Sequence, residues 1–180
     1  MTATPEFVCS THTPLPVKTA SGQSLCFNCV VEEHQTHLYN LALHILGDSG
    51  RAQDATQVAL LSAYRALGGF RGGSLKAWLA RITANACKDM LRAAKARPAS
   101  SLDAMLLLPS DEPQSRGESP EEYALRRELG REIQSGLQTL PAEQRLAIVL
   151  IDMQGMSYEE AAVAMDCNLG TVKSRLSRGR

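Results

Sequence analysis

The chain has no excess of charge of either sign: 19 Lys and Arg stand against 19 Asp and Glu, for a formal net charge of +0. This excludes a polycation that coats nucleic acid with its whole surface and leaves local segregation of charge as the only route to a polyanionic partner. Aromatic residues make up 4% of the chain, with a single Trp, so a core has to be built from Leu, Ala, Ile and Val, as in packed helices. No apolar run approaches the roughly 20 residues that span a bilayer. The start, Met1 to Phe7, has neither a basic region nor an apolar stretch of a leader. The expectation is a protein without membrane contact that stays in the cytoplasm. There the five cysteines would be metal ligands, redox sensors or buried thiols rather than structural disulfides.

What is present is helical patterning with charge sorted along it. A length of 180 residues and an apolar share of 44% suit one or two small domains. Lys76, Arg81, Lys88, Arg92, Lys95 and Arg97 gather in one segment, and Asp111, Glu112, Glu118, Glu121 and Glu122 in the next. A first helix is predicted from near Val30, with Leu38, Leu41, Ala42 and Ile45 on one face until Gly47-Asp48-Ser49-Gly50 stops it. A second runs from about Arg51 to Leu67 on an Ala55, Ala59, Ala63 stripe and ends at Gly68-Gly69. Ser74 then caps a third, which turns Leu75, Trp78, Leu79 and Ile82 inward and leaves its basic residues outside. Residues 98–120, rich in Pro and Ser with mixed charge, read as a flexible linker, although Leu102 and Met105 to Leu108 are too apolar to be wholly free. The chain resumes near Glu121 with one helix through Leu137 and another opening at Pro141.

The last quarter carries the most specific signal. Ser157 and Glu160 form a capping box that starts a short helix, and Asn168 is a suitable N-cap for a second one with Leu169, Val172 and Leu176 at helical spacing. With those three turned inward, Thr171, Lys173, Ser174, Arg175 and Arg178 are left outside, and no acidic residue shares their helix. Two short helices meeting at a tight turn, the second one basic, suit phosphates and guanine edges in a major groove.

Two blocks, in order, resemble the extracytoplasmic-function sigma factors of bacterial RNA polymerase. The first runs from His37-Leu38-Tyr39-Asn40 through Asp54-Ala55-Thr56-Gln57 to Phe70-Arg71-Gly72-Gly73-Ser74 and Trp78 to Asn85, and is similar to region 2. The second is the helix-turn-helix, similar to region 4. The resemblance implies an all-α fold of two small helical domains, region 2 over 30–97 and region 4 over 121–180, joined by the 98–120 linker. It implies a protein that is not itself an enzyme: it would bind core RNA polymerase through the β′ clamp helices and the β flap, recognise minus-thirty-five and minus-ten promoter DNA, help open the duplex, and answer to an anti-sigma protein. Carried over residue by residue, Asp54 and Gln57 would meet the polymerase, with Val58 and Leu60 where the family commonly has Glu and Phe. Phe70, Arg71, Gly72, Arg81, Asn85, Lys88 and Arg92 would handle the opened minus-ten strand. Thr171, Lys173, Ser174, Arg175 and Arg178 would read the minus-thirty-five duplex. Recognition helices in the family usually continue past the position of Arg180.

Residues 1–29 have no counterpart in that resemblance. Cys9-Ser10-Thr11-His12 and Cys26-Phe27-Asn28-Cys29 are two knuckle-like pairs with zinc-ligand spacing, so Cys9, His12, Cys26 and Cys29 are the expected zinc ligands, with His34 or His37 as substitutes. The extension is read as a short zinc-knuckle-like segment, either a brace or a sensor. Cys87 and Cys167 fall at predicted core positions. Two rival functions stay open: a stand-alone helix-turn-helix regulator, which would need a dimer interface, and a zinc-dependent module that sequesters another factor.

Overall fold

The computed structural model describes residues 15–96 and 119–180. Cys9, His12 and all but the last two residues of the linker expected over 98–120 lie outside the described residues; Ser119 and Pro120 open a helix instead.

The described residues form the expected helical architecture, preceded by one short hairpin. Strand β1 (Pro16–Lys18) pairs antiparallel with β2 (Ser24–Cys26), placing Val17 opposite Leu25. The turn is held by buried Thr19, whose hydroxyl donates to the Gln23 carbonyl at 3.0 Å and accepts from its amide at 3.1 Å. Gly22 supplies a φ of 83°, a conformation that costs a glycine little. Three-residue strands are too short to show alternation, which is why no pattern announced them. Val17 and Leu25 settle on a small cluster of Phe27, Val30, Leu38, Leu67, Phe70 and Leu79.

Helix α1 spans Phe27–Leu46, starting earlier than the predicted Val30 because Phe27 is drawn into that cluster. Gly47 ends it in the left-handed conformation, φ 73°, as helix C-termini commonly do. Helix α2 (Ser49–Ala66) starts two residues before the predicted Arg51, since the Asp48 side chain accepts from the Arg51 amide at 2.7 Å and so caps it. After a 3-10 turn at Leu67–Gly69, α3 runs Leu75–Ala96, with Ser74 accepting from the Ala77 amide at 3.2 Å. These three helices are the predicted region 2 unit.

The second unit opens with α4 (Pro120–Thr139), whose Ser119 and Glu122 complete a capping box. Helix α5 (Ala142–Ile148) follows and runs into a π-helical turn, Val149–Met153. Then come α6 (Tyr158–Met165) and α7 (Leu169–Gly179). No helix among the described residues is long and apolar enough to cross a membrane.

The two units share one core. Leu41, Ile45, Ala80, Ala84 and Cys87 from the first pack with Leu137, Leu146, Leu150, Ala161 and Met165 from the second. Cys87 is fully buried, and burial pushes its thiol pKa up to about 12, which makes it an inert core residue. At one margin of this core, α4 and α5 cap the carbonyl end of α1. The Gln134 amide donates to the Leu43 and His44 carbonyls at 3.4 Å, and Gln138 to the His44 carbonyl at 3.1 Å. The His44 carbonyl is one a helix end leaves without an intrahelical partner, whereas that of Leu43 also accepts from the Gly47 amide at 2.8 Å.

Candidate nucleic-acid interface

Local chemistry builds the helix-turn-helix as the sequence indicates. Ser157 accepts from the Glu160 amide and Glu160 from the Ser157 amide, both at 3.1 Å. Asp166 closes α6 at φ 53° in the left-handed region, where Asp is among the residues best tolerated. The Asn168 carboxamide then accepts from the Thr171 amide at 2.8 Å and starts α7. Val172 and Leu176 are buried and Leu169 half-buried, so the inward stripe is the predicted one.

On the outer side the predicted contacts divide. Lys173 and Arg178 are exposed, with the Lys173 ammonium 5.7 Å from the centre of the Tyr158 ring. The Thr171 hydroxyl donates to Asn168 at 2.9 Å and the Ser174 hydroxyl to the Thr171 carbonyl at 3.0 Å, so both are tied into α7. Arg175 turns back on its own domain: its Nη1 lies 2.9 Å from Glu143 Oε2 and 3.6 Å from Cys167 Sγ. Arg180 pairs with Asp152 through two hydrogen bonds, 3.1 Å from Nε and 2.5 Å from Nη2, a pairing that raises its pKa. An acid-free helix was legible in the sequence; acids supplied from α5 and the π turn were not.

The first unit shows a sharper difference. Phe70, expected beside Arg71 and Gly72 on an open loop, is 5% exposed. Its ring lies 5.4 Å from that of Trp78 at 56°, and its carbonyl accepts from the Ser21 amide of the hairpin turn. Phe70 is therefore a packing residue in this arrangement, and Trp78 has the core contacts its spacing suggested. Arg71, Gly72 and Gly73 are exposed, the glycines at φ 96° and 92°. The loop borders a cleft of about 470 Å³ closed on its far side by Glu159, Glu160 and Val163 of α6.

Along α3, Asn85 and Arg92 are exposed, Arg92 paired with Asp89 on its own helix at 2.9 Å. Arg81 and Lys88 face the second unit instead. Arg81 Nη2 lies 2.9 Å from Asp166 Oδ1, and Lys88 Nζ 3.0 Å from Glu143 Oε1. At the start of the helix, the Ser74 hydroxyl donates to Glu160 at 2.7 Å, and this bond is the main cause holding the Glu160 carboxyl below its ordinary pKa. On α2, Asp54 and Gln57 are exposed one turn apart, beside exposed Val58 and Leu61.

Of the expected zinc ligands, Cys26 is 1% exposed at the N-cap of α1 and its sulfur accepts from the Leu15 amide at 3.4 Å. Cys29 is half-buried in the first turn. Two cysteines three residues apart at a helix start have the spacing of a zinc-ligand pair. The two histidine substitutes lie further along the same helix. A rise of 1.5 Å per residue sets His34 about 7.5 Å and His37 about 12 Å along α1 from Cys29, which makes His34 the nearer substitute. Among the described residues no group of three or more His, Cys, Asp or Glu is gathered to hold a metal.

The chain matches the family model for Sigma-70 region 2 over residues 30–97 and that for Sigma-70, region 4 over residues 130–180. It is 37% identical over 163 residues to the RNA polymerase sigma-H factor of Pseudomonas aeruginosa, covering 88% of this chain and 84% of that protein. It is 38% identical over 166 residues to the ECF RNA polymerase sigma-E factor of Escherichia coli, covering 88% and 85%. Among solved structures it is similar to the sigma factor RpoE in complex with the anti-sigma factor NepR from Bartonella quintana, with a TM-score of 0.66 and 29% identity over 86% of this chain and 91% of that one. It is also similar to CnrH in complex with the cytosolic domain of CnrY, with a TM-score of 0.61 and 26% identity over 86% and 82%.

Proposed function

The chain belongs to the extracytoplasmic-function sigma factors and serves transcription initiation, and from that premise we propose how its residues divide the work. Asp54 and Gln57 on α2, with Val58 and Leu61 beside them, form the face for the β′ clamp helices, and region 4 engages the β flap. Lys173 and Arg178, joined by Arg175 once it leaves Glu143, read the minus-thirty-five duplex, with Thr171 and Ser174 in support. The exposed Arg71-Gly72-Gly73 loop and Asn85, with Arg81, Lys88 and Arg92 on the phosphates, hold the opened minus-ten strand. The chain supplies recognition and strand capture, and the polymerase supplies the chemistry, in the cytoplasm.

The observation that carries this reading is the pairing of two separate cationic faces in one chain, one on α7 and one on α3, each in the region whose family model it matches. A stand-alone regulator has use for the first face but none for the second. Run-off transcription with added core polymerase tests it: specific transcripts from a cognate promoter are expected only when the chain is present. Binding of duplex DNA with no transcript from any promoter would leave the stand-alone regulator in its place.

One structural relative of this chain is a complex with an anti-sigma factor, which supports an anti-sigma partner for this chain. A second reading concerns the extension. Cys26 and Cys29 would furnish half of a zinc site completed by Cys9 and His12, bracing the hairpin against α1; bound zinc would supply cross-linking rather than catalysis.

A further inference from the structure

Ser74, Arg81 and Lys88 recur every seven residues along α3, so they lie on one stripe of that helix. Each is met by an acid of region 4: Ser74 by Glu160 at 2.7 Å, Arg81 by Asp166 at 2.9 Å and Lys88 by Glu143 at 3.0 Å. The three acids come from different places, the first turn of α6, its left-handed C-cap and the first turn of α5. They nevertheless converge on a single row of α3, two members of which, Arg81 and Lys88, are the cations read as contacts of the opened strand. Glu143 does more than its neighbours. Its Oε1 takes Lys88, while its Oε2 takes Arg175 of the recognition helix at 2.9 Å. One carboxylate thus occupies a cation intended for the opened strand and another intended for the upstream duplex.

We propose that region 4 carries a built-in competitor for the promoter, in which Glu143, Asp166 and Glu160 stand where nucleic-acid phosphates would otherwise sit, and that Glu143 is the latch that withdraws both DNA faces at once. The proposal rests on the reading of Lys88 and Arg175 as promoter contacts. The side chains of Lys88, Glu143 and Arg175 are 21%, 39% and 27% exposed. They are shielded enough for the charges to interact and open enough for a polyanion or salt to displace them. Promoter phosphates, which release counterions as they bind, are the natural displacing agent. The apolar core between the units sets the geometry, and the charged row makes the closed form sensitive to DNA and ionic strength.

The test uses the full chain with Glu143→Gln, which keeps size and shape, and with Glu132→Gln, an exposed residue of α4, as a control for the lost charge alone. Radius of gyration by small-angle scattering and promoter-duplex affinity by fluorescence anisotropy are read at low and high salt, with circular dichroism to verify folding. E143Q is expected to expand at low salt and bind duplex about two- to fivefold more tightly, as two partly shielded ion pairs allow. Both differences should vanish in about 1 M salt, and E132Q should match wild type. No expansion in E143Q, or an equal expansion in E132Q, overturns the latch. Expansion without tighter binding keeps the latch but overturns Lys88 and Arg175 as promoter contacts.

Discussion

Arg145, in α5, donates a hydrogen bond to the backbone carbonyl of Ile45 in the last turn of α1, 100 residues earlier in the chain. Its guanidinium also reaches the Gln138 side-chain oxygen at 2.5 Å and the Gln138 and Leu140 carbonyls at 3.1 Å. Burial lowers the pKa of this cation, and the negative end of the α1 dipole offsets part of the cost. With Gln134 and Gln138, Arg145 forms the amide-lined joint between region 2 and region 4.

Replacing Arg145 by Ala should leave those carbonyls without donors and cost about 2–4 kcal/mol. The expected readout is a melting temperature lower by roughly 5–10 °C for a chain of this size. Arg145→Lys, which keeps the charge but loses the fork, should fall between the two. An R145A chain that melts with wild type would remove the joint from the account of stability.

The same joint predicts a pH response. His44 Nδ1 lies 2.9 Å from Gln134 Oε1. Burial lowers the pKa of His44 below 6.5, an effect partly opposed by that hydrogen bond. The packed state therefore favours neutral imidazole, and the unpacked state takes up the proton first as pH falls. The contribution is complete above about pH 6.5 and is lost as pH drops through the folded value. Thermal melts between pH 8 and 5 should show a decline that His44→Gln flattens.

On α7, the exposed Lys173 and Arg178 should behave differently. Lys173→Ala is expected to weaken every duplex alike and reduce the slope of log affinity against log salt by about 1. Arg178→Ala is expected to cost about 1–3 kcal/mol at one base position and blur preference there. Anisotropy titrations on a set of single-base variants distinguish the two. Uniform loss for R178A would make it a phosphate contact.

For the polymerase face, Asp54→Ala and Leu61→Ala should each weaken binding of core enzyme by about 1–2 kcal/mol while leaving duplex affinity and melting temperature near wild type. Pull-down of core polymerase at graded concentrations checks this. A loss of duplex binding instead would move α2 out of the polymerase interface.

Metal content of the purified full chain provides a further check. About one equivalent of zinc is expected in wild type, lost in Cys26→Ser. A metal-free wild type that retains its fold would make Cys26 a packing residue of the hairpin and nothing more.

The helices were legible because each carries its own punctuation. The capping box of Ser157 and Glu160, the Asn168 cap, the Ser74 cap and the glycine stop at Gly47 are local events, and local chemistry decides them. The inward stripe of α7 followed from period alone. On α3 the buried set is Ala77, Leu79, Ala80, Thr83, Ala84 and Cys87, and only Leu79 of the expected stripe belongs to it, because the second unit covers the small-residue side of the helix. What escaped was whatever depends on distant partners. Phe70 reads as a loop residue until the hairpin turn and Trp78 close over it. Arg81, Lys88 and Arg175 read as free cations because their partners Asp166 and Glu143 stand on other helices, far from them in sequence. Arg145 reads as an ordinary surface arginine of α5, since nothing in its neighbourhood indicates that the end of α1 will require its donors.

Because the two units are joined through residues 97–118, their association is unimolecular. A short tether holds such partners at an effective concentration in the millimolar range. The fraction of molecules with the two units packed together is then the same however much of the chain is present. It would shift only slowly with spacer length, by about 0.6 kcal/mol for each doubling. Spacer length is thus a weak lever on that balance, and the contacts between the units set it.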